Sequence, residues 1–97
     1  MSERTEYVDK LTAQLRQWDA DIQELELKLK NAQAGAKEEY RSKIENLKQK
    51  KEKAYQKMRE VQEASDDAWK EVKEGTEKAF GTMKSSVESA MTELKNS

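Results

Sequence analysis

Acid–base, nucleophilic and metal chemistry have little to work with in this chain. It holds neither histidine nor cysteine, so the usual general base, the thiolate nucleophile and the commonest metal ligand are missing. What remains are carboxylates and cations, 20 Asp and Glu against 19 Lys and Arg. Two close acid pairs, Asp19/Asp21 and Asp66/Asp67, have the ligand type a hard cation wants. The favoured reading is plainer: a solvated helix face for the first, an acidic helix N-terminus for the second. The basic run KQKKEKAYQK (48–57) has the chemistry to meet phosphates. Glu45, Glu52 and the near-neutral total dilute it, and a solvated helix face is again favoured. No catalytic, cofactor-binding or metal-binding residue is assigned. The expectation is a protein that is not an enzyme, with no cofactor, small-molecule substrate or specific nucleic acid.

If the chain binds rather than reacts, its helices must supply the binding faces. Leu, Ile, Val and Phe total only 14 of 97 residues, which is thin for a globular core. Opposite charges nearly cancel, however, which argues against disorder. Abundant Ala, Glu, Lys, Leu and Arg, no proline and three glycines point to long helices. The fold class is all-α.

The first third carries a heptad stripe. Val8, Leu11, Leu15, Trp18, Ile22, Leu25 and Leu29 are spaced alternately three and four apart, with polar residues on the flanks. Ser2 is a candidate N-cap, followed by Glu3 and Glu6 near the positive end of the dipole. The pattern then slips, stepping four residues from Ala36 to Tyr40 and four more to Ile44. It resumes through Leu47, Lys51, Ala54, Met58 and Val61. The slip falls on NAQAGAKEE, where Gly35 can take the left-handed conformation that ends a helix. Reflecting the chain about this point pairs Val8 with Val61, Leu11 with Met58, Leu15 with Ala54 and Trp18 with Lys51. Ile22 then meets Leu47, Leu25 meets Ile44 and Leu29 meets Tyr40. An antiparallel coiled-coil hairpin over residues 1–61 follows, turning near 33–36, with the Lys51 ammonium over the Trp18 indole.

Residues 54–97 read as four 11-residue units: AYQKMREVQEA, SDDAWKEVKEG, TEKAFGTMKSS and VESAMTELKNS. Their fifth positions are Met58, Trp69, Phe80 and Met91, and their eighth are Val61, Val72, Met83 and Leu94. A period of 11 in three turns keeps such a stripe nearly straight along a helix. Small residues, among them Ala64, Gly75 and Ser86, flank it. The expected interaction face is Trp69, Val72, Phe80, Met83, Val87, Met91 and Leu94.

The Gly–Thr–Lys pattern of VKEGTEKAFGTMKSS resembles the 11-residue repeats of synucleins and exchangeable apolipoproteins, and is similar to late-embryogenesis-abundant proteins. TEYVDKLTAQLRQWDADIQELELKLK with MREVQEASDDAWKEVKEGTEKAF resembles short bacterial coiled-coil proteins of the stress-response type. The first resemblance implies a lipid-facing helix. The second implies no catalytic residues and a context of stress.

Two architectures follow. In the favoured one, helix one spans about 4–33, helix two starts near 37 and runs on toward 95, and residues 62–97 project as an amphipathic helix. In the alternative, Ser65 caps a third helix, Asp66 and Asp67 form its acidic first turn, and a three-helix bundle results. The expected function is non-catalytic helical interaction or scaffolding by self-association through the apolar face. The alternative is a reversible membrane-surface or stress-protectant protein. A homo-oligomer is the first expected partner, then another protein or an anionic membrane. With no apolar h-region or membrane-length apolar window, the default compartment is the cytoplasm.

Overall fold

The computed structural model describes residues 2–95, with Leu94 and Lys95 described in backbone alone. They form three helices, α1 (Glu3–Asn31), α2 (Ala34–Glu63) and α3 (Trp69–Lys95), and no strand appears among them. Ser2 caps α1, its Oγ accepting from the Thr5 amide at 3.2 Å. Glu3 and Glu6 stand in the first turn, and Lys28 and Lys30 in the last. Each charge therefore opposes the dipole end beside it.

The first turn corrects an expectation. Ala32 (φ −75, ψ 152) and Gln33 (φ −67, ψ 152) are both extended, and none of the described residues has a positive φ. Two extended residues suffice to reverse the chain here, so the left-handed turn expected of Gly35 does not form. Gly35 belongs to the first turn of α2 instead.

The second correction is larger. The helix expected to continue from 37 toward 95 stops at Glu63. Ala64 is extended (φ −68, ψ 155). Ser65 then opens a new helical turn, its Oγ accepting from the Ala68 amide at 3.2 Å and its carbonyl from the Trp69 amide at 3.1 Å. A single helix over 34–95 would run about 93 Å at 1.5 Å per residue; the longest extent of the molecule is 52 Å. Residues 62–95 thus fold back and do not project. The driving force is burial: α3 brings Trp69, Phe80, Met83, Val87 and Ala90 into the core.

Side-chain pairs between helices give their directions. Thr12 donates to the Met58 sulfur and Asp19 pairs with Lys51, so α1 and α2 run in opposite senses. Thr76 bonds the Lys57 carbonyl and Lys50 bonds Ser86, so α2 and α3 do too. Tyr7 meets Trp69 and Trp18 meets Phe80, so α1 and α3 are parallel. All three helices feed one core cluster.

On α3 that core follows a spacing other than the eleven-residue one. Trp69, Thr76, Met83 and Ala90 are all buried, and they recur every seven residues, the period that keeps one face against a neighbouring helix. The 11-residue repeat places neither Thr76 nor Ala90 on its apolar stripe. Thr76 is fully buried, its hydroxyl within bonding distance of the Lys57 carbonyl (3.1 Å) and the Val72 carbonyl (3.2 Å). A hydroxyl shared in this way lies in a core at little cost.

Candidate interaction surfaces

Trp69, Phe80, Met83 and Val87 of the expected interaction face are buried, while Val72 and Met91 are half-buried against the same cluster. The side chain of Leu94 lies outside the described residues. The face is therefore covered by α1 and α2, because folding back is the shortest route by which one chain removes it from water. Little large apolar surface remains elsewhere. Leu27 at 60% and Tyr55 at 43% exposure stand out, and isolated residues of this kind are ordinary.

Of the seam residues, Val8, Leu11, Leu15, Trp18, Ile22, Leu25, Tyr40, Ile44, Leu47, Met58 and Val61 are buried. Leu29 packs half-buried beside them. Lys51 departs from the expectation. Its ammonium pairs with Asp19, and the Trp18 ring lies against Phe80 at 5.3 Å, tilted by 40°. The third helix supplies an aromatic partner to Trp18, so Lys51 turns to the acid at the rim.

The junction of α1 with the 64–68 connection is held by several bonds at once. Arg4 donates to the Ala64 carbonyl at 2.7 Å and the Gln62 carbonyl at 3.3 Å. It pairs with Asp66 at 2.8 Å, and its guanidinium lies 5.8 Å from the Trp69 ring centre. In an unbroken helix the carbonyls of residues 62 and 64 would accept from the amides four residues on. Arg4 bonds both of these acceptors across the break. Tyr7 stacks beside it, 6.2 Å from Trp69, with the Lys73 ammonium 4.9 Å from its ring. Burial pushes the Tyr7 hydroxyl above its ordinary pKa of 10.0, and the nearby Glu77 adds to the rise. That hydroxyl oxygen is buried without a hydrogen-bond partner among the described residues. Nothing in the sequence marks Arg4, because its partners lie about sixty residues away.

Between α2 and α3 lies a groove of a different character. Lys50, Lys53 and Lys57 form one wall and Lys78 stands on the other, over Gly75, Ala79 and Thr82. The acid pairs have separate fates. Asp19 takes Lys51, Asp21 accepts from the Gln17 side-chain amide at 3.1 Å, and Asp66 takes Arg4. No group of three or more potential metal ligands gathers among the described residues, and no helix there is long and apolar enough to cross a membrane. Comparison with known proteins finds no matching family model, curated protein or solved structure.

Proposed function

We propose that the protein is a non-catalytic helical interaction protein that self-associates by exchanging α3 between two copies. One observation carries this reading: the buried faces of α2 and α3 lie in phase across the break. Counted at about 100° per residue, Ala54, Met58 and Val61 point the same way as Trp69, Val72, Thr76 and Met83. Returning Ala64 and Ser65 to helical angles would produce one long helix with its apolar stripe intact. That stripe needs a cover, and the α1 and α2 faces of a second copy are shaped for α3 already. Exchange of an identical element is a low-cost route to a dimer, because the packing α3 gives up within its own chain is restored on the partner.

The connection supports the same reading. Residues 64–68 contain no glycine or proline, so the break is held by the Ser65 cap and by Arg4, both of which can be undone. Light scattering over a concentration series tests it. The wild-type chain should show a dimer that grows with concentration. Ser65→Ala removes the cap and should raise the dimer fraction. Asp66→Pro puts proline at the first helical position and keeps Ser65 out of the helical region; it should hold the chain monomeric, with Asp66→Ala as the control for the missing ion pair. A strictly monomeric Ser65→Ala chain at millimolar concentration would sink the proposal. Helix-linked binding to phosphatidylglycerol vesicles without any dimer would move the partner from a second copy to a membrane.

A further inference from the structure

Lys50, Lys53 and Lys57 are spaced three and four residues apart, which places them on one face of α2. Lys78 faces them across a groove of about 390 Å³. No carboxylate lines this groove, although the chain as a whole carries a net charge of −1. Elsewhere, four lysines reach acids on neighbouring helices, Lys43 to Glu93, Lys48 to Glu26, Lys51 to Asp19 and Lys70 to Glu3. Others, such as Lys30 and Lys84, stand apart from the groove, without an ion pair among the described residues. Lys53 and Lys78 make no ion pair among the described residues. Lys57 reaches only Glu60 on its own helix, at 3.3 Å.

The floor is shaped as well as charged. Gly75 sits inside α3, where glycine is less favourable than alanine. A Cβ there would meet nothing within 4 Å, so packing does not require glycine. Glycine leaves this part of the groove's lining without a side chain. Thr82 adds a hydroxyl to the floor, and the buried Thr76 ties α3 to the Lys57 carbonyl at 3.1 Å. Lys50 donates to Ser86 at 2.7 Å, which ties its ammonium to α3 beside the groove, outside the groove's own lining. Like charges gathered around one groove repel, and an anion between them would relieve that repulsion.

We propose that this groove is a binding site for a short run of phosphate groups. The three α2 lysines spread positive charge over about 10 Å of helix, a shape that fits a linear oligophosphate better than a single ion. Ammonium groups bind phosphate as point charges without bidentate geometry, so selectivity should follow charge density and length. The source is a soluble oligophosphate or a phosphorylated lipid headgroup, and the experiment separates the two.

Calorimetry on the full chain at low ionic strength uses inorganic triphosphate as the probe, with phosphatidic acid vesicles as the second arm. Triphosphate should bind, and Lys53→Gln with Lys78→Gln should weaken binding by about tenfold, since two of the cations that meet phosphate are removed. The control pair Lys30→Gln with Lys84→Gln removes the same charge away from the groove and should leave binding within about twofold. Gly75→Gln fills the groove without changing charge; it should abolish binding while the helix content is retained. Vesicle binding that triphosphate displaces would assign the phosphates to a lipid headgroup at the same site. Absence of binding in both arms, equal loss in both lysine pairs, or full binding by Gly75→Gln would overturn the proposal.

Discussion

The Arg4 corner and the lysine groove are both cation-rich, yet they are built in opposite ways. In the corner each cation has an assigned partner: two backbone carbonyls, Asp66 and the Trp69 ring for Arg4, the Tyr7 ring for Lys73. In the groove four lysines gather around small residues, and no acid lines the space. The corner's interactions close on themselves and hold the fold. Of the groove's cations, Lys50 and Lys57 have a partner at its edge, Ser86 and Glu60, and Lys53 and Lys78 are left to solvent or a ligand. Local charge density alone therefore does not separate a structural cation from a binding one; the number of acceptors already in place does.

In stability measurements the corner should respond most. Arg4→Ala should cost about 1–3 kcal/mol in urea unfolding, because it leaves the carbonyls of Gln62 and Ala64 without their charged donor. The ion pair with fully exposed Asp66 contributes little to that loss. The same variant should raise the dimer fraction, since a continuous helix would satisfy those carbonyls. An Arg4→Ala chain as stable as wild type would remove the corner's structural role.

Gly75→Ala should move stability the other way, raising it by about 1 kcal/mol from helix propensity, because its Cβ enters open space. A destabilised Gly75→Ala chain would mean that glycine is needed for packing and not for the groove.

Tyr7 sharpens the corner's side of the contrast. A hydroxyl with a raised folded pKa favours its protonated form in the fold. Its stabilising contribution is complete below about pH 10 and is lost as pH climbs through the folded value. Wild-type unfolding followed from about pH 9 to 11.5 should therefore show a decline that Tyr7→Phe lessens. At neutral pH the phenylalanine variant should match wild type or gain up to about 1 kcal/mol, because the orphaned hydroxyl is gone. An unchanged alkaline slope would remove Tyr7 as its source.

The smallest effect belongs to the groove. Lys53→Gln with Lys78→Gln should change stability by about 0.2–0.5 kcal/mol, in the stabilising direction, and added salt should erase it. A large loss would show that these lysines hold the bundle together after all.

Much of this was legible in the residues. The stripe from Val8 to Leu25 named its own buried positions, because a heptad of large apolar groups admits one covered face. Ser2 and Ser65 announced helix starts through cap chemistry that acts within four residues. The absence of histidine and cysteine bounded the chemistry. Each of these depends on neighbours close in sequence, and short-range rules suffice for it.

The placement of α3 was decided only in three dimensions. The stripe across 58–72 reads identically as one projecting helix or as two that fold back. Locally the choice is between a few extended backbone angles and continued helix, and both cost little. What settles it lies far away in sequence: Trp18 accepting Phe80 against its ring, and Arg4 bonding carbonyls that a continued helix would have kept. The groove has the same origin. Lys50, Lys53 and Lys57 looked like a solvated face until α3 set Lys78 and Gly75 beside them. Charges gain meaning from what they face, and what a helix faces is set by the packing of the whole chain.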